Sequence, residues 1–189
     1  MSRTRNASRR GEGDAAIVWT LFHARQAMSL RKLECLLFLM DWRAAYTYGR
    51  PFTGLGFRLG PYGPSAIGLV HDLKTMRGIA LRAGEGGRSV VAAAPDVETD
   101  PLPAYTLGLA PALRFHAKHT AVELAEFCLE TTPARRSGPG GASGPSGIVA
   151  FDQAAAALRH QRRRTVADLM AEADAAKGPV GRRLRGRSG

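Results

Sequence analysis

The stretch ECLLFLMDW, residues 34–42, is a nearly unbroken apolar run inside the longer segment LRKLECLLFLMDWRAAYTY. Across that segment Leu33, Leu36, Leu37, Met40 and Ala44 recur at helical spacing. A helix with one apolar stripe can lie on a surface, but one with so few polar interruptions must be covered on most sides. Other elements therefore have to wrap around residues 30–48, which predicts a central helix in a packed core. Ser29 offers a side-chain cap at its start, Gly49 a left-handed stop, and Pro51 bars resumption.

The remaining segments supply what could cover it. Asp14 is placed to cap an earlier helix in which Ile17, Val18, Leu21 and Met28 share a face. From Ser65 to about Met76, Ala66, Leu69, Val70, Leu73 and Met76 predict an amphipathic helix, with Pro64 at or just before its first turn. IALRA and RSVVAAA, separated by GEGG, read as a β-hairpin. VETDPLPAYTLG reads as loop with at most one short strand, and residues 109–117 can form a helix with Pro111 in its first turn. Thr120 and Glu123 form a capping box ahead of AVELAEFCLE, which Pro133 should close. SGPGGASGPSG is a linker by composition; beyond it Asp152 can cap an Ala-rich helix whose apolar stripe, Leu158, Val166, Leu169 and Met170, is thin. The expected fold class is mainly α with a small antiparallel β element (α+β). The expected organisation is a disordered basic arm over 1–13, a helical domain over 14–135, a linker over 136–148, an Ala-rich basic helix over 149–177 and a disordered basic tail over 178–189.

Charge is distributed unevenly over the 189 residues, whose formal net charge is +11. The first twelve residues carry four arginines and one glutamate, and residues 136–189 carry ten basic against four acidic side chains. The stretch between them is close to balance, so the basicity sits toward the ends and would attract any polyanion. Cys35 and Cys128 both fall in apolar helical patterns and are expected as buried free thiols of a cytoplasmic protein. No run approaches about 18 apolar residues, and MSRTRNASRRGEGD lacks the apolar segment of a signal peptide, so no membrane partner is expected.

Reactive constellations are missing from the sequence. The five histidines and two cysteines give no His-x-x-x-His or Cys-x-x-Cys spacing, and His116 and His119 have no thiol or carboxylate at a metal-like interval. GEGG lacks the Lys and Ser or Thr of a phosphate loop, and no Gly-x-Ser-x-Gly occurs. The expectation is a chain without catalytic residues, metal or cofactor, not an enzyme. The feature that stands out is GFRLGPYGPSAIGLVHDL, residues 56–73, where Gly60, Gly63 and Pro64 make a stiff corner around Tyr62. Phe57, Arg58, Tyr62, Gly63 and Pro64 are the candidate partner-binding residues; plugging the edge of the core is the competing role for the same aromatics.

The order of these motifs resembles the Panacea domain, the SocA-like antitoxin family. Its members show a Leu-x-Lys-Leu helix, a Gly-x-Pro-aromatic turn, a short strand and a Tyr-Gly-Pro corner. Here these elements are Leu30, Lys32, Leu33, Trp42, Tyr48, Gly49, Pro51, Phe57, Tyr62, Gly63 and Pro64, with Glu123 and Leu124 in the closing helix. The likeness spans about residues 14–135, with Leu59 where the family often has Trp. It implies a bacterial or phage antitoxin that neutralises a cognate protein toxin by direct binding, or an adaptor that hands it to a Clp-type protease. An alternative reading is a winged-helix nucleic-acid binder, because SAIGLVHDLKTMRGIALRAGEGGRSVVAAA has the order of a recognition helix followed by a wing. Its phosphate contacts, or a non-specific nucleic-acid affinity of the basic tails, would come from Arg162, Arg163, Arg164, Arg182, Arg183, Arg185 and Arg187.

Overall fold

The structure, a computed structural model, describes residues 2–84, 89–94, 97, 102–137 and 148–176. Helix α1 spans Ser2–Ala24, strand β1 Met28–Ser29, helix α2 Leu30–Tyr48, strand β2 Phe57–Gly60 and strand β3 Gly63–Ala66. Helix α3 follows over Leu69–Thr75, then strands β4 Ile79–Ala83 and β5 Ser89–Ala93. A 3₁₀ turn over Ala104–Leu109 leads into α4 Ala110–His116, α5 Ala121–Glu130, α6 Thr132–Ser137 and α7 Phe151–Ala176. The fold is α+β: seven helices among the described residues, with antiparallel sheets of three strands (order β1-β5-β4) and two strands (β2-β3).

Helix α2 is the core, as its composition requires. Leu33, Cys35, Leu36, Leu37, Phe38 and Met40 have no exposed surface, and α1, α4, α5 and strand β3 lie against it. Ser29 caps its start by accepting from the Lys32 amide at 3.2 Å, and Gly49 ends it in the left-handed region at φ 82°. The capping box of α5 is present in full: the Glu123 carboxylate accepts from the Thr120 amide while the Thr120 hydroxyl accepts from the Glu123 amide. Pro111 sits in the first turn of α4, and IALRA pairs with SVVAA from Ile79↔Ala93 to Ala83↔Ser89. The turn between them, residues 85–88, lies outside the described residues.

Several expectations are corrected, among them Met28, which lies in β1 and not on α1, and residues 104–109, which form a 3₁₀ turn and not a loop or strand. Helix α1 begins at Ser2, not at an Asp14 cap, so the segment read as a disordered arm continues the helix. The amphipathic helix expected from Ser65 begins only at Leu69, after Gly68 at φ 82°. Its first residues form strand β3 instead, because Pro64, Ser65 and Ala66 find their partners on β2 and α2. Pro133 does not close α5, which ends at Glu130; it lies in the first turn of α6. Helix α7 begins at Phe151, placing Asp152 inside its first turn.

The last correction concerns residues 148–155, which sequence patterning assigns to a linker and a helix needing an outside partner. The Val149 amide donates to the Phe57 carbonyl at 2.9 Å, and Val149, Phe151, Ala154 and Ala155 are buried. Phe151 meets Phe38 and Phe57 edge-on, with ring centroids 5.0 and 5.8 Å apart. One packing unit therefore comprises residues 1–155, and residues 156–189 form a second. In the second unit Arg162, Arg163, Val166 and Met170 are exposed on α7, while the side chains of Arg164 and Leu169 and residues 177–189 lie outside the described residues.

Candidate functional site

The corner at residues 60–64 is the turn of a hairpin. Strands β2 and β3 pair antiparallel with Phe57↔Ala66, Arg58↔Ser65, Leu59↔Pro64 and Gly60↔Gly63, leaving Pro61 and Tyr62 as a two-residue loop. Ladder hydrogen bonds alternate along such a pair, so the closing Gly60–Gly63 pair uses its amides and the next pair does not. Pro64, which has no amide hydrogen, falls where the ladder asks for none.

The outward edge of β3 is held by two side chains of α2. Arg31 Nη1 donates to the Pro64 carbonyl at 2.6 Å, and Glu34 Oε1 accepts from the Ser65 hydroxyl and the Ala66 amide, both at 3.0 Å. Arg31 and Glu34 lie 3.5 Å apart, three residues along the helix. These bonds satisfy an edge that would otherwise be open to another strand. At the start of β3, Gly63 sits at φ 105°, and a β-carbon there would come within 2.9 Å of the Ala125 side chain. Close approach of α5 and a left-handed backbone together demand glycine.

What this brace presents is Tyr62. Its side chain is 80% exposed, beside exposed Pro61 and Gly60, with exposed Arg58 two residues before the turn on β2. The five candidate residues thus divide. Arg58 and Tyr62 face solvent; Gly63 and Pro64 are buried and position the turn; Phe57 has no exposed surface and packs on Phe38 at 5.4 Å. Phe57 therefore serves the core and cannot touch a partner in this conformation. A second exposed apolar set lies on α4 and α5: Phe115, Phe127 and Val122, with His116 and His119 meeting the two phenylalanines edge-on.

Sequence patterning gives no hint of the setting of Asp41 or of the contact between the two cysteines, whose burial as free thiols it does predict. Asp41 is fully buried on α2, its carboxylate accepting from the Thr53 amide at 2.5 Å and the Thr53 hydroxyl at 2.6 Å. Burial pushes its pKa up to about 7, against the opposing pull of those bonds. The Cys128 thiol donates to the Cys35 carbonyl at 3.6 Å, both cysteines being free and buried; burial pushes the Cys128 pKa up. His116 and His119 have ring centroids 6.5 Å apart, and among the described residues no three of His, Cys, Asp and Glu converge as metal ligands would. Among the described residues no helix is long and apolar enough to cross a membrane. No protein-family model, curated protein or solved structure matches the chain.

Proposed function

We propose that this chain is a binding protein of the antitoxin type, which neutralises a cognate protein toxin by seating the tip of the β2–β3 hairpin on it. The observation that carries this reading is an exposed aromatic on a turn that cannot move freely: Tyr62 is 80% exposed while its flanking backbone is tied to Arg31, Glu34 and Ala125. A rigid aromatic anchor loses little conformational freedom on docking, which is why such residues dominate binding energies. The resemblance of the Leu-x-Lys-Leu helix and Tyr-Gly-Pro corner to the SocA-like antitoxins supplies the kind of partner. Arg58 would add a charged contact at the rim.

The test is growth rescue on co-expression with the product of the adjacent open reading frame. Tyr62→Ala and Arg58→Glu should weaken rescue while leaving the thermal midpoint of the purified protein unchanged. Full rescue by the combined variant would overturn the hairpin tip as the contact. Gly63 is unsuited to this test, because a side chain there disturbs the packing on α5 before any partner is met.

One observation favours a second reading, nucleic-acid binding. Strand β1 lies between α1 and α2 and pairs with β5, and α3 runs directly into β4, which is the connectivity of a winged helix interrupted by the β2–β3 hairpin. The exposed face of α3 carries His71, Lys74 and Thr75, with Arg77 just beyond. If that face reads DNA, Lys74→Glu with Arg77→Glu should weaken duplex binding and make its salt dependence shallower. Unchanged duplex affinity would eliminate this reading and leave the first standing.

A further inference from the structure

A concavity of about 550 Å³ opens elsewhere on the first unit, where the end of α1, the first turn of α2 and the end of α4 meet. Arg25, Lys32, Arg114 and Lys118 line it, and no acidic residue does. Like charges gathered without a counter-charge repel one another, so the empty arrangement is unfavourable and an anion would relieve it. Among the described residues none of the four is paired with a carboxylate.

The floor of the concavity is built. Lys32 Nζ and Gln26 Nε2 both donate to the carbonyl of Ala117 at 2.7 Å, fixing both side chains on the C-terminal end of α4. That bond uses one of the three hydrogens of the ammonium and leaves two for a ligand. Burial lowers the Lys32 pKa, as it does for a cation held away from water without an anionic partner. Arg25, on the rim, is held at φ 54°, the single non-glycine residue in the left-handed region among the described residues. Such backbone strain persists where the surroundings impose it and gathers at functional positions.

We propose that this concavity binds a phosphate group, gripped by the guanidinium forks of Arg25 and Arg114 and neutralised by Lys32 and Lys118. Planar forks match phosphate oxygens in pairs, and ammonium groups supply point charge, so the mixture suits a multiply charged oxyanion better than a single carboxylate. The group could be carried by a small phosphorylated molecule or by a nucleic-acid backbone, and the experiment separates the two. This proposal does not depend on the hairpin tip or its partner.

The full-length protein is titrated with inorganic pyrophosphate by calorimetry and with a short fluorescent DNA duplex by anisotropy, at one fixed salt concentration. The double variant Arg25→Gly with Arg114→Gln removes both forks and also relieves the positive φ, so the fold is retained. It should weaken binding by about tenfold or more, whereas Arg135→Gln with Arg136→Gln, both exposed and outside the concavity, should stay within about twofold. Lys118→Gln alone, exposed at the end of α4, gives an independent reading with a smaller loss in the same direction. Loss of pyrophosphate binding assigns a free phosphorylated ligand, and loss confined to the duplex assigns a backbone phosphate; both support the site. No saturable binding of either probe to the unaltered protein, or equal weakening by the control pair, would overturn it.

Discussion

At Gly63, two demands meet on one backbone position: a φ of 105° and a neighbour that a β-carbon would approach to 2.9 Å. Gly63→Ala is therefore expected to destabilise the protein by about 2 kcal/mol or more, from strain and overpacking together, read as a lower urea midpoint. Tyr62→Ala should leave that midpoint unchanged, since the side chain touches little. The contrast between adjacent residues separates positioning from contact. Sequence composition alone makes both look special, because stiffness and exposure leave the same signature in a Gly-Pro-rich turn. What distinguishes them is α5, about sixty residues further on, whose Ala125 closes over one and not the other.

Among the elements, α2 and α7 form opposite cases. The burial of α2 can be read from its own residues, because a helix apolar on nearly every face has no stable alternative to the core. Its caps at Ser29 and Gly49, like the capping box at Thr120 and Glu123, are local hydrogen-bond arrangements within a few residues of one another and so are also readable. Thr120→Ala should cost about 1 kcal/mol, visible as a lower thermal midpoint. The first turn of α7 is different: Phe151 packs edge-on against both Phe38 and Phe57, residues from distant parts of the chain. Phe151→Ala should destabilise by about 3–5 kcal/mol, and a chain ended at residue 136 should unfold at markedly lower urea than the full chain. Equal midpoints for the two chains would contradict the packing of residues 148–155. The same logic explains strand β3, whose local pattern is helical but whose polar groups are claimed by Arg31, Glu34 and β2.

For the molecule as a whole, the buried carboxylate of Asp41 links stability to pH. Its pKa rises from 3.8 in the unfolded chain to about 7 when folded, so the native state holds a proton that the unfolded state has released between those values. Stability should therefore be greatest at the acidic end of this window and fall as pH rises through it, by a contribution on the order of 4 kcal/mol, then level off above about pH 7. Asp41→Asn should flatten this slope, as measured by urea denaturation between pH 5 and 8. A wild-type slope of the opposite sign would count against an uncharged Asp41.

The amino-acid order settles the helical period of α2, its caps at Ser29 and Gly49, the capping box at Thr120 and Glu123, the β4–β5 hairpin and the need for a covered central helix, since each of these rests on neighbours within a few positions. The three-dimensional arrangement alone decides that residues 60–64 turn a hairpin instead of opening a helix, that Phe151 completes the core, and that four cations from three separated segments line one concavity. Those outcomes depend on partners far apart in the chain, and the burial and pairing they provide outweigh local preferences worth only tenths of a kcal/mol per residue.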